Sequence, residues 1–346
     1  MPDGERLDSL FEATVSGVSR PLDSALVCAV DSADVAWAGA VGYADPASHR
    51  VVDQDANFAL ASITKSFVAA LVLRLVESKD VVLDAPIADQ LHAPVAIDLN
   101  RATVRQALAN RSGIRDYWQP PLRAALAADP HRVWTVPEVL SFGGGVDFGP
   151  GERWAYSNTN FVVLGLVIEA ATGQEVGATI HESFITPLGL EGFAYQPRFV
   201  APAPHARGVA LGAAPGSFHL LPDDDVMPNL ATASATGAAG CMAGNARGLA
   251  RWGRALYGGT LLSHPSMDAM FGFVDTGDGD RYGLATWAIE VGGHGFVGLS
   301  GETIGYTSIL LYSARTDTSV AILTNAPHDA MALCSALTTA LMHGRT

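Results

Sequence analysis

Strand-forming runs lie at the two ends of this chain and helical periodicity fills its middle, a distribution that leaves few folds open to it. Near the start, Ala25–Val30 and Val35–Val41 are short apolar runs separated by Asp31-Ser32-Ala33-Asp34, the pattern of a hairpin. From Arg281 onward, YGLATWAIEV, IGYTSILLYS and DTSVAILTN read as strands, with turns at Gly292–Gly293 and Ala314–Asp317. The economical arrangement is an α+β (α/β sandwich) fold. One antiparallel sheet is built from both chain ends and flanked by terminal helices at residues 5–19 and 328–342, with a mainly helical region inserted. The expected partition is 1–57 with 279–346 for the sheet region and 58–278 for the helical one.

The most informative stretch of the inserted region is Phe58–Val76, FALASITKSFVAALVLRLV. Val68, Leu71, Val72, Leu75 and Val76 follow helical spacing and predict a helix with one buried face. Ser62 and Lys65 stand three residues apart at its start, so hydroxyl and amine share one side of the helix. A desolvated lysine can take a serine's proton, which arginine cannot do. Only two of the 21 basic residues are lysines, Lys65 and Lys79, so a chain that otherwise uses arginine keeps a lysine at this position. That scarcity favours the catalytic reading over an ordinary amphipathic helix.

Composition excludes some classes. A net charge of −14 argues against nucleic acid and anionic membrane surfaces as partners. Cys28, Cys241 and Cys334 are odd in number and widely spaced, so neither a disulfide framework nor a zinc site is expected. The ten histidines are scattered, H-E-x-x-H does not occur, and no metal or cofactor is expected. The N-terminus lacks a basic segment followed by an apolar one, and the longest apolar run, Phe161–Ile168, is too short to span a bilayer. The expectation is a soluble, cytoplasmic protein; nothing in the residues sets an oligomeric state.

Helices are also expected at Thr103–Ala109, after the capping box Thr135-Val136-Pro137-Glu138, and at Ala246–Gly258. Between them, Arg111–Trp118 breaks into a loop, and Trp154-Ala155-Tyr156-Ser157-Asn158 leads into TNFVVLGLVIEAATG, apolar on almost every side and expected to be a buried helix ending at Gly173. Residues 196–230, with six prolines and Asp223–Asp225, are long for an inert loop.

With Ser62, Lys65, Tyr156 and Asn158 placed, the chain resembles the serine β-lactamase-like superfamily, in particular class C β-lactamases, D-alanyl-D-alanine carboxypeptidases and family VIII esterases. FALASITKSF resembles the first family motif and Tyr156-Ser157-Asn158 the second; VLDAPIADQL, VRQALANRSGIRDY, PLGL and AAGCMAGNARGLARWGRALYGG follow in the family's order over about residues 5–345. The resemblance implies an active site between the two regions. It implies Ser62 as acylated nucleophile, Lys65 as its hydrogen-bonded partner, Tyr156 sharing the proton work as a phenolate or through Lys65, and Asn158 binding the substrate amide or orienting Lys65. Adjacent Lys65 would favour a Tyr156 phenolate.

The third family motif departs from the pattern. Leu299-Ser300-Gly301 stands where β-lactamases and carboxypeptidases carry Lys-Thr-Gly or His-Thr-Gly. Leucine cannot help bind a substrate carboxylate, so an ester, thioester or carboxylate-free amide is implied. The backbone N–H groups of Ser62 and Glu302 would form the oxyanion hole, Tyr117 and Trp118 an aromatic wall, and residues 196–230 a lid. His294 reads as a turn residue. Gly293–Gly298 spells G-x-G-x-x-G but enters a strand pattern, which excludes a nucleotide loop. These residues point to a serine hydrolase taking a small-molecule acyl donor. An acyltransferase passing the group to an amine or alcohol acceptor is the alternative. A β-lactamase or carboxypeptidase, or a non-catalytic binding protein, fits less well.

Overall fold

The computed structural model describes residues 4–16, 20–214 and 216–327; the expected last helix and Cys334 lie outside them. Eight strands form one antiparallel sheet: β1 (Leu26–Ser32), β2 (Ala36–Val41), β3 (Val274–Asp275), β4 (Arg281–Tyr282), β5 (Trp287–Val291), β6 (His294–Thr303), β7 (Tyr306–Ser313) and β8 (Thr318–Thr324). Their order is β3-β4-β5-β6-β7-β8-β1-β2, so the C-terminal meander closes onto the N-terminal hairpin through the β8–β1 pair. This is the sheet expected from both chain ends.

Alternation in β1 and β8 sends side chains to two cores. Leu26, Cys28 and Val30, with Val320 and Ile322, face a small cluster closed by Leu7, Phe11 and Val15 of α1 (Gly4–Val15). Val27, Ala29, Ala321 and Leu323 face the main core. That core continues without a break into the helical region, through α2 (Thr64–Glu77), α3 (Asn158–Thr172) and α4 (Ala246–Tyr257).

Helix α2 is more central than its apolar stripe suggests. Thr64 through Leu73 are all buried, Lys65 and Ser66 among them, so it is enclosed on every side over its first three turns. The polar members survive there because each finds a partner: Thr64 Oγ1 donates to Ala61 O, and Ser66 Oγ accepts from the Trp252 indole at 2.9 Å. Helix α3 is buried from Thr159 to Ile168, apart from a partly buried Leu166, and ends at Gly173 in the left-handed conformation, as its sequence predicts.

Residues 196–230 do not behave as a lid. They contain a short hairpin, Val209–Leu211 with Phe218–Leu220, pinned to the end of the sheet where Val209 N–H donates to Asn325 O at 2.7 Å. The Tyr306 hydroxyl donates to Ala206 O at 2.8 Å on the same side. No described residue of this segment lines the cavity beside Ser62. Among the described residues, no single helix is long and apolar enough to cross a membrane.

Candidate active site

Ser62 lies in a 3₁₀ turn, Ala61–Ile63, that delivers the chain into α2. Ala61 has φ +48°, a left-handed conformation costing a non-glycine residue about 1 kcal/mol or more. The turn sits against β6. That strand runs on from Leu299 to Thr303 beyond the last β5 partner, which is the Trp287–Gly298 pair, so its far end is unpaired on the Ser62 side. Gly301 makes this approach possible: a Cβ there would lie 2.3 Å from Leu60 O and 3.0 Å from Ser62 N.

The structure brings Ser62, Lys65, Tyr156 and Asn158 together. Ser62 Oγ is 2.9 Å from Lys65 Nζ and 2.8 Å from the Tyr156 hydroxyl. Lys65 Nζ also donates to Asn158 Oδ1 at 2.9 Å and to Ala239 O at 2.6 Å. A neutral amine has two N–H bonds and one lone pair, and both carbonyls can only accept. They therefore take the two N–H groups and turn the lone pair toward Ser62 Oγ. Burial pushes the Lys65 pKa down to about 7, against the raising influence of Asp116. An amine so placed can take the hydroxyl proton at neutral pH.

Of the two proton roles expected for Tyr156, burial disfavours the phenolate. Burial raises its pKa well above the ordinary tyrosine value, only partly opposed by the hydrogen bond with Ser62. The phenol stays protonated, and the phenolate inferred from the adjacent lysine is corrected: desolvation outweighs the charge of a lysine that is itself losing its proton.

The cavity beside Ser62 has a volume of about 410 Å³. Leu299 is buried in its wall, 2% exposed, with Ser300, Glu302 and Thr303 following along β6. Trp118 and Trp287 supply its aromatic surface, beside the Tyr156 ring. Tyr117 does not: it is fully buried behind the site, its hydroxyl donating to Ala235 O at 2.9 Å. His294 opens β6 opposite Val291 and does not line the cavity.

Sequence reasoning missed Asp116, which lines the cavity and accepts from Asn158 N–H and Nδ2 and from Trp118 N–H. It belongs to a lacing of loop 110–118 onto the first turn of α3. Thr159 Oγ1 donates to Arg115 O and accepts from Tyr117 N–H, while Asn160 bonds Ser112 and Asn110. The signal was available: a buried loop must satisfy its backbone, and Asp-x-Trp is the spacing of an Asx turn. Asp116 and Glu302 are the charged side chains lining the cavity among the described residues, and no basic side chain lines it.

Comparison with known proteins bears on the family and the fold. The esterase EstB of Burkholderia gladioli is 31% identical over 224 residues, 57% of this chain and 54% of that protein; the chain thus spans about half the length of this curated relative. A D-stereospecific amidohydrolase from Streptomyces sp. superposes with a TM-score of 0.81 at 26% identity, covering 97% of this chain and 98% of that one. The D-amino acid amidase of Ochrobactrum anthropi SV3, in complex with D-phenylalanine, gives a TM-score of 0.82 at 23% identity over 99% of both chains, a likeness of fold. The family profile described as Beta-lactamase matches residues 7–341, and the chain belongs to that family.

Proposed function

We propose that this protein is a serine acyl hydrolase that cleaves small ester or amide substrates through a covalent acyl-enzyme on Ser62. The observation that carries the reading is the buried Lys65 amine, 2.9 Å from Ser62 Oγ, with Asn158 Oδ1 and Ala239 O placed to take its two N–H groups once it is neutral. Ser62 Oγ attacks the carbonyl carbon and its proton passes to Lys65 Nζ. The carbonyl oxygen becomes an oxyanion held by the Ser62 and Glu302 N–H groups. On collapse the bond to the leaving alcohol or amine breaks, and the leaving group takes a proton through Tyr156, which is replenished from Lys65. Water then attacks the ester, its proton follows the same route, and the acid and free Ser62 are released.

The cavity lining narrows the substrate. Leu299 offers no charge to a carboxylate, Asp116 and Glu302 repel one, and the indoles of Trp118 and Trp287 favour a cation. Neutral or cationic acyl donors fit, aminoacyl esters and amides among them, in keeping with the names of the esterase and amidase relatives. Intact-protein mass spectrometry after mixing with activated esters tests both points. An adduct that decays in water supports a hydrolase; one that persists until an amine or alcohol discharges it assigns a transferase. No adduct from any acyl chain withdraws the reading. An aminoacyl ester should acylate at least about tenfold faster than a succinyl ester of equal reactivity.

Gly301 offers a second test. In Gly301→Ala the new methyl meets Leu60 O and Ser62 N, so strand and nucleophile must move apart. Loss of oxyanion geometry is expected to lower kcat by roughly 10²-fold, read by steady-state ester hydrolysis beside a thermal melt. An unchanged kcat would remove β6 from the oxyanion site.

A further inference from the structure

Asp116 makes no contact with Ser62 or Lys65 among its hydrogen bonds, yet its geometry dictates theirs. One carboxylate oxygen accepts from the backbone N–H of Asn158 at 3.1 Å and of Trp118 at 3.2 Å; the other accepts from Asn158 Nδ2 at 3.0 Å. A carboxylate can only accept, so Nδ2 must point toward it and Oδ1 must face Lys65, 2.9 Å away. Rotating the amide would set a donor against the amine and an oxygen against the carboxylate. We propose that Asp116 is a positioning residue for acylation: through Asn158 it aims the Lys65 lone pair at Ser62, and its charge balances the ammonium formed when Lys65 takes the serine proton. This rests on the hydrolase reading above.

The surroundings leave that balance to Asp116. Tyr156, its ring centre 5.0 Å from Lys65 Nζ, is held protonated by burial. So are Tyr117, from the loop that carries Asp116, and Cys241, from the segment that supplies Ala239. Phe161 of α3 faces the amine at 5.4 Å and carries no charge. Glu302 lines the cavity from β6, but its side chain is exposed and solvated at the mouth. Asp116 is the acidic group whose charge raises the lysine's proton affinity.

Exchanging donor and acceptor tests the proposal. Asp116→Asn presents a side-chain amide to the Asn158 amide, donor facing donor, and removes the charge. Adding Asn158→Asp restores complementarity, because the carboxylate introduced at position 158 would accept from both the new amide at position 116 and Lys65, with the charge now one step closer to the amine. The readout is kcat/KM against pH for an ester the wild type turns over. Asp116→Asn should lower kcat by roughly 10²-fold and move the acid limb to lower pH by roughly one unit. The double variant should recover at least about tenfold of that loss and carry its limb above the wild type's.

A limb unmoved in Asp116→Asn, with no recovery in the double variant, would reduce Asp116 to a structural role and overturn the inference. Should Asp116→Asn not fold, the double variant alone decides, by whether its limb lies above or at the wild-type position. A wild type that turns over no ester overturns the hydrolase reading and this inference with it; an active wild type with flat responses overturns only the latter.

Discussion

Ser62→Ala is expected to abolish the acyl adduct and to lower ester turnover by at least about 10⁴-fold, because the nucleophile has no substitute within reach. Ser62 Oγ hydrogen-bonds Lys65 and Tyr156, and Ser62 lines the cavity, so water can occupy the vacated position. The thermal midpoint should therefore stay within about 2 °C of wild type, since the loss amounts to one partner of groups that water can serve. Groups that act as one unit are not additive. Ser62→Ala combined with Lys65→Ala should be no slower than Ser62→Ala alone, whatever residual rate the cavity provides. Mass spectrometry for the adduct, steady-state kinetics and a thermal melt together check this. Residual turnover within about tenfold of wild type would place the nucleophile elsewhere.

Much of this arrangement is legible in the residues. Apolar runs at β1, β7 and β8 predict strands, and their position at both chain ends leaves one antiparallel sheet built from both ends as the economical solution. Lys65 stands out because the chain uses lysine so rarely. Tyr156 and Asn158 are different: their roles came from the family resemblance, since one tyrosine before a buried helix reads equally well as core. The capping box at Thr135 forms as predicted, with Thr135 N–H donating to Glu138 at 2.8 Å.

What could not be read depends on burial and on loop direction. The Tyr156 phenolate followed from a charge argument that ignored desolvation, and desolvation is the larger influence. Tyr117 and Trp118 are adjacent in an aperiodic loop, where no pattern tells which one faces the cavity. Asp116 acts through Asn158, 42 positions along the chain, a separation that no local motif spans. Residues 196–230 were expected over the site because long loops are often functional. Their hairpin instead is tied to the end of the sheet at Asn325.

The same burial that makes Lys65 useful should make it costly, and Lys65→Met is expected to stabilise the fold while ending catalysis. The folded lysine titrates at about 7 against 10.5 when solvated. Between those values the unfolded chain holds a proton that the folded chain does not, so unfolding free energy rises with pH across that window. Below 7 both states are protonated and the penalty is fully present, about 5 kcal/mol at about 1.36 kcal/mol per unit. Methionine removes it but leaves Ala239 O and Asn158 Oδ1 without their donor, at about 1–3 kcal/mol each. The net change expected at pH 6 therefore lies between a loss of about 1 and a gain of about 3 kcal/mol, centred on a small gain that should shrink and then reverse as pH approaches 10. Urea denaturation of both proteins at several pH values measures it. A stability difference that does not vary with pH would mean that burial does not neutralise Lys65, and the proton route assigned to Ser62 would lose its base.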